Sequence, residues 1–291
     1  MTDPTALDSA WIAAHPAPVH GGGTTKNSRG RVLAIGGARM VPGALRLVGE
    51  AALRVGCGKL QLATVESAAM MLGLLTPEAA VIALPEDDDG EIAWDKALCK
   101  AVADCDALVL GPGVSTKSVA EALIRALIAE APENAKVVLD AQAVACAGDL
   151  ADLLAPLRDR LVMTPHEGEM ASLTGKDMDE IKAEPARVAC EVAGRFGAVV
   201  ALKGSQTHIA SPDGEMLHFL GGGTGLATGG SGDVLAGAVA GLLSRGASPL
   251  EATGWGVWLH GQAGRRMAGR HGPIGFLARE LPAEFPLLLP Q

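Results

Sequence analysis

Three short stretches hold side chains able to bind an anion and move a proton. ATGGSGDVLAGAVAGLL (227–243) sets Gly229, Gly230, Ser231 and Gly232 before an apolar run, with Asp233 in the predicted first helical turn. Such glycines let successive N–H groups point at one place, and a helix N-terminus adds partial positive charge, so phosphate oxygens are stabilised there. A carboxylate at the edge of that pocket can take a proton from a hydroxyl attacking the phosphate. An isolated GSGD more often only complements the helix dipole, so the reading depends on its neighbours.

LKGSQT (202–207) is the second stretch. Lys203 supplies a fixed charge at a predicted strand end, and Gly204 lets the backbone approach a ligand. Ser205, Gln206 and Thr207 add hydroxyl and amide hydrogen bonds suited to a nucleotide. TPHEGE (164–169) is the third, with His166 and Glu169 on one side of an opening helix. Glu169 is a candidate ligand for Mg²⁺ bridging phosphates, whereas zinc is disfavoured because HEGE lacks the second histidine of HExxH. Taken singly, His166 reads more often as a capping or core histidine. The P-loop pattern GxxxxGK[ST] is absent, and the glycine loop comes too late for a dinucleotide fingerprint.

Alternating elements must position these residues. RVLAIGG (31–37), KLQLAT (59–64), AVIALP (80–85), DALVLGPG (106–113), KVVLDA (136–141), RLVMTP (160–165) and AVVALKG (198–204) read as strands, continuous rather than alternating, as strands buried on both faces do. Helices are predicted at 43–56, 118–130, 185–197, 232–244 and 250–269, with Leu45, Val48, Ala52 and Val55 forming an apolar stripe on the first. Residues 207–220 read as a hairpin turning at Pro212-Asp213-Gly214. The repeating order predicts an α/β fold, a mostly parallel central sheet with helices on both faces. Ligands bind beyond the carboxyl ends of such strands. Gly36-Gly37, Gly111-Pro112-Gly113, Asp140, Thr164-Pro165-His166 and Lys203-Gly204 fall at those ends, and the glycine clusters are expected to offer amides to a ligand. The acidic PEDDDGE (85–91) reads as a solvated loop.

Composition bounds the partners. With 291 residues, no linker and no repeat, the chain reads as a single domain, 1–291. A net charge of −9 argues against nucleic acid or an anionic membrane. No apolar run reaches membrane-spanning length, the N-terminus lacks a secretory pattern, and five cysteines without a CxxC pair suit reduced thiols in a cytoplasmic protein.

In combination ATGGSGDVLAG, LKGSQT, TPHEGE, VLGPGV and MVPGALRLVGEAALRVGCGKL resemble the ADP/ATP-dependent (S)-NAD(P)H-hydrate dehydratases of the ribokinase-like superfamily, over roughly residues 25–280. The resemblance implies a three-layer ribokinase-like fold preceded by a short extension, 1–24. It implies nucleotide contacts at Lys203, Gly204, Ser205, Gln206, Thr207 and Gly232. It implies hydrate contacts at Ala44, Gly113, His166 and Asp233, with Asp233 catalytic and Glu169 organising Mg²⁺. The chain departs from the family at Gln142, where an acidic residue is common.

The implied reaction restores NAD(P)H from its C6 hydrate with release of phosphate, using ADP or ATP as phosphoryl donor, ADP being expected. The resemblance further implies a homo-oligomer, commonly a tetramer, and a functional partner in an NAD(P)H-hydrate epimerase on a separate chain. Two alternatives stay open from the residues alone: a ribokinase-like kinase of a vitamin-precursor alcohol, and a non-catalytic nucleotide sensor. Neither the ADP-versus-ATP nor the NADH-versus-NADPH preference is written in these residues.

Overall fold

Continuous apolar runs have no polar face to show to water, so both sides of their strands must be covered. The computed structural model, which describes residues 4–290, places all seven predicted strands in one ten-stranded sheet. The strands are β1 (Thr5–Ala6), β2 (Arg31–Ile35), β3 (Lys59–Val65), β4 (Ala79–Leu84), β5 (Ala107–Leu110), β6 (Lys136–Leu139), β7 (Leu161–Met163), β8 (Ala198–Leu202), β9 (Thr207–Ala210) and β10 (Met216–Phe219). Their order is β1-β10-β9-β8-β7-β6-β5-β2-β3-β4. Every pairing from β4 to β8 is parallel, while β9 pairs antiparallel with β8 and β10.

Successive strand residues point to opposite faces, and the core divides accordingly. Val32 and Ala34 join one apolar layer, Leu33 and Ile35 the other. Helices Gly43–Arg54, Ser231–Ser244 and Pro249–His271 cover the first, and Lys117–Glu130, Glu167–Thr174 and Pro185–Phe196 the second. This is the predicted three-layer α/β arrangement. The stripe Leu45, Val48, Ala52 and Val55 is fully buried. Helix Ser231–Ser244 is buried nearly all round. A Cβ on its Gly237 would lie 2.1 Å from the Val48 carbonyl oxygen, so glycine lets these two helices touch backbone to backbone. The hairpin forms as predicted, Gly214 N–H closing on Ser211.

Two expectations change. Residues 1–24 were expected as an extension, but Thr5–Ala6 pair with Leu217 and His218 at the sheet edge. Trp11 is buried, and Trp255 Nε1 donates to the His15 carbonyl at 2.6 Å. A two-residue strand is too short to show a period; the burial of Trp11 and Ile12 anchors it. The acidic segment is likewise not merely solvated. Glu91 is 4% exposed and accepts from Ser115 N–H, while Glu86 accepts from Arg39 and Ser67. Backbone and side-chain donors on neighbouring turns hold these carboxylates against the protein. Among the described residues no helix is long and apolar enough to cross a membrane.

Candidate active site

Because β2, β5, β6, β7 and β8 are parallel, their carboxyl ends share one edge. Chain order reverses between β5 and β2, the position at which α/β sheets open a crevice. The turns there hydrogen-bond mostly to neighbouring strand ends and to one another. Gly36 N–H donates to Ala63, Gly37 N–H to Pro112, Ala38 N–H to Gly113 and Gly111 N–H to Ile35. At these turns the Gly36, Gly37 and Gly111 amides are therefore taken by the protein rather than offered to a ligand, as buried N–H groups must be paired. The stitching also presses Gly113 against the turn leading to Ala44: a Cβ on Gly113 would meet the Val41 carbonyl oxygen at 2.7 Å. Ala44 itself is buried in the first turn of helix Gly43–Arg54.

The chemistry gathers one step along the edge. Lys203 N–H donates to the Pro165 carbonyl at 2.8 Å, tying the LKGSQT turn to TPHEGE. Lys203 Nζ lies 2.9 Å from Asp140 Oδ1 and 3.8 Å from Glu169 Oε2. Thr164 Oγ1 donates to the same Asp140 oxygen at 2.6 Å. A Cβ on Gly232 would stand 3.2 Å from Lys203 Nζ, so the glycine loop closes directly over the ammonium. Gly230 adopts φ +88°, a conformation costly for any residue with a Cβ, and an added Cβ would also strike Leu47. Leu47 lies one turn on from Ala44, which brings the predicted hydrate-binding turn to the loop.

Helix Ser231–Ser244 begins without a side-chain cap. Ser231 N–H turns back to Thr228 O, and no hydrogen bond engages the Asp233 carboxylate among the described residues. Burial, then the charge of Asp140, pushes Asp233 up to about 7, with Lys203 opposing and Glu169 adding to the rise. Burial acts against the Lys203 charge, but Asp140 and Glu169 outweigh it and hold the ammonium above its ordinary range. Burial also raises Glu169, against the pull of Lys203. The arrangement joins a carboxylate poised near neutrality, a fixed cation and an open helix N-terminus: a proton acceptor beside an anion seat.

His166 and Glu169 form a capping box. Glu169 N–H donates to His166 Nδ1 at 3.1 Å, and His166 N–H to Glu169 Oε2 at 2.7 Å. The ring of His166 remains exposed at the edge of the site. Gly204, Ser205 and Gln206 are exposed and, with Lys203, Glu167 and His208, line a cavity of about 170 Å³. Thr207 differs from the other nucleotide candidates: it is buried in β9, paired with Phe219. Among the described residues no three His, Cys, Asp or Glu side chains form a metal cage.

Two residues of the site escaped the sequence reading. Asp140 was singled out as a strand end without a role; its partner is Lys203, 63 residues away. The next residue, Ala141, has φ +52°, a rare conformation for a side chain with a Cβ and one that clusters at functional sites. His260, in the middle of helix Pro249–His271, places Nε2 2.9 Å from Ser231 Oγ, and nothing in its sequence context signals that contact.

A family model described as NAD(P)H-hydrate dehydratase matches residues 32–287. The ADP-dependent (S)-NAD(P)H-hydrate dehydratase of Xanthomonas campestris pv. campestris is 45% identical over 99% of this chain and 98% of that protein. The chain spans about half of the bifunctional NAD(P)H-hydrate repair enzymes it matches, 53% of the one from Moorella thermoacetica. The Bacillus subtilis ADP/ATP-dependent NAD(P)H-hydrate dehydratase, co-crystallised with ATP and Mg²⁺, superposes with a TM-score of 0.81 at 29% identity, covering 99% and 98% of the two chains. A ribokinase-like superfamily protein of Enterococcus faecalis, at 24% identity and TM-score 0.84 over 99% and 96%, shares the fold. A family match from residue 32 to 287, joined to 45% identity along nearly the whole chain, means that the chain belongs to the NAD(P)H-hydrate dehydratase family.

Proposed function

We propose that this chain uses ADP or ATP to dehydrate (S)-NAD(P)H-hydrate, restoring NAD(P)H and releasing phosphate. The observation that carries the reading is Asp233: a half-buried carboxylate raised to about 7, with no hydrogen bond among the described residues, at an uncapped helix start that closes over Lys203. Hydroxide leaves poorly, so the C6 hydroxyl is first made into a phosphate ester. Asp233 accepts the hydroxyl proton as the oxygen bonds to the terminal phosphorus. The bond from that phosphorus to its bridging oxygen breaks, freeing AMP from ADP or ADP from ATP. Loop amides and Lys203 stabilise the charge of the transferring group. The C6–O bond then breaks, its electron pair leaving with phosphate while the ring nitrogen's lone pair fills the deficit. Loss of the C5 proton restores the dihydronicotinamide.

His166, Ala44 and Gly113 are assigned to the hydrate, and Gly204, Ser205, Gln206, Thr207, Gly229, Gly230 and Gly232 to the nucleotide. Thr207 acts through its backbone, since its side chain is buried in the sheet. A Mg²⁺ carried by the phosphates needs only one or two protein carboxylates. Glu169 fits that requirement: it shares the Lys203 ammonium with Asp140 and Asp233, an excess of negative charge that a dication would relieve. The ion would offset charge on the phosphates.

Incubation with hydrated NADH and either ADP or ATP, following reduced-ring absorbance and inorganic phosphate, tests the reading. Equal return of both supports it. A phosphorylated alcohol without absorbance makes the protein a kinase, and neither product makes it a sensor. Parallel runs with hydrated NADPH measure both preferences.

A second copy of the chain is the partner we assign to helix Glu66–Leu75, in a homotetramer. Met70, Met71, Leu74 and Leu75 are 56–80% exposed there, beside edge strand β4, which carries no charge or proline. Light scattering of Leu74→Asp is expected to show a smaller assembly than the parent. An NAD(P)H-hydrate epimerase, which would interconvert the hydrate epimers, is the functional partner we assign. A cytoplasmic location is supported by five free cysteines.

A further inference from the structure

We propose that His260 is a positioning residue for the phosphate seat: its Nε2–H holds the Ser231 oxygen, so that the Ser231 hydroxyl donates to a phosphoryl oxygen of the nucleotide. The inference rests on the nucleotide-dependent reading above. Ser231 is the first residue of helix Ser231–Ser244, 6% exposed, between Gly230 and Gly232 in the loop that closes over Lys203. Its N–H is turned to Thr228 O at 3.2 Å and is lost to a ligand, so its contribution comes through the side chain. That side chain has one neighbour of note, His260 Nε2 at 2.9 Å, reaching across from the following helix.

A hydroxyl has one proton to give, and a neutral imidazole has one donor and one acceptor nitrogen. If Ser231 donates to Nε2, only oxygen lone pairs remain for the loop, and these repel an anion. If Nε2–H donates to Ser231, the hydroxyl proton is free for the anion. A phosphate at the loop therefore selects the second arrangement, and the nucleotide and the imidazole tautomer are linked. Burial, then the charge of Lys203, pushes His260 down to about 4, so the ring is neutral at physiological pH. Neutrality has a use here. A second cation beside the loop would draw Asp233 back toward the ordinary carboxylate range and weaken it as a base.

The test is direct ADP binding to the full chain by calorimetry, with turnover measured alongside. His260→Ala and Ser231→Ala are each expected to weaken ADP by about tenfold, the loss of one hydrogen bond to a charged group. His260→Gln, whose amide keeps an N–H at the same reach, is expected to restore most of that loss. His260→Ala added to Ser231→Ala is expected to do nothing more, because the residue acts through the hydroxyl. Turnover is expected to fall together with binding in Ser231→Ala and His260→Ala and to recover in His260→Gln. Nitrogen-15 shifts of the His260 ring are expected to move toward the Nε2–H tautomer when ADP is added to the wild-type protein. If His260→Ala does not fold, His260→Gln, Ser231→Ala and the ring shifts still decide. Equal binding by wild type and all variants, an undiminished His260→Ala effect in the Ser231→Ala background, or an unchanged tautomer overturns the inference alone. Failure of the wild-type protein to bind ADP at all overturns the functional reading with it.

Discussion

Helices Pro249–His271, Glu167–Thr174 and Ser231–Ser244 each carry an acidic residue at the third position, and the first two use it differently from the last. In Pro249–His271, Glu251 reaches back to the Ser248 N–H and hydroxyl while Ser248 Oγ accepts from Glu251 N–H. In Glu167–Thr174, Glu169 and His166 make the same reciprocal pair. Helix Ser231–Ser244 has Gly230 at the cap, with no side chain to exchange, and the shorter Asp233 makes no hydrogen bond among the described residues. The closed starts satisfy their own donors. The open one leaves donors and a carboxylate for a ligand, forgoing only about a few tenths of a kcal/mol of capping stability, because the cap is glycine. Placed in one chain, the two kinds of helix start show that an N-terminus becomes a site by what is withheld from it.

Perturbing the open start has the largest expected effect. Asp233→Asn should lower turnover by about 10²–10⁴-fold while ADP binding changes little, measured by steady-state kinetics and calorimetry. Wild-type turnover by this variant would remove Asp233 from its role. Lys203→Met should lower kcat/KM for the nucleotide by about 10²–10³-fold, the effect of losing one preorganised electrostatic contact.

Asp233 also fixes a pH response. A base with its midpoint near 7 must be unprotonated to act, so kcat/KM should rise with pH through that value and flatten above it. Stability runs the opposite way. The folded carboxyl holds a proton between its ordinary 3.8 and about 7 that the unfolded chain has released, so its contribution to stability falls as pH rises through that window. Asp233→Asn should therefore gain more in melting temperature over wild type at pH 8 than at pH 5. The smallest effect belongs to the closed start. Ser248→Ala should cost about 1 kcal/mol in denaturant unfolding and leave turnover unchanged.

Much of the framework was legible along the chain. The seven strands announced themselves as unbroken apolar runs, although edge strand β4 is buried only at Leu84 and not on both faces as expected, and the hairpin as two short runs about Pro212-Asp213-Gly214, because those signals are local. β1 was not, since two residues carry no period. Nor was the fate of the glycines at strands β2 and β5: sequence can show that an amide is unhindered, but not that a neighbouring strand end takes its hydrogen bond. Glu91, read as part of a solvated run, is buried because Ser115 lies across from it.

The motifs themselves, their order and the class of chemistry they serve were determined by sequence, because glycine, lysine and acid types at fixed spacings constrain the backbone and charge wherever the chain folds. Only the tertiary structure decided which charges meet. Asp140 and Lys203 stand 63 residues apart and share a hydrogen bond, and Ser231 and His260 meet across two helices. The rise of Asp233 toward neutrality is of the same kind. It comes from the packing that removes water around that carboxylate and from the charges of Asp140 and Glu169 beside it, and both depend on distances through space rather than along the chain.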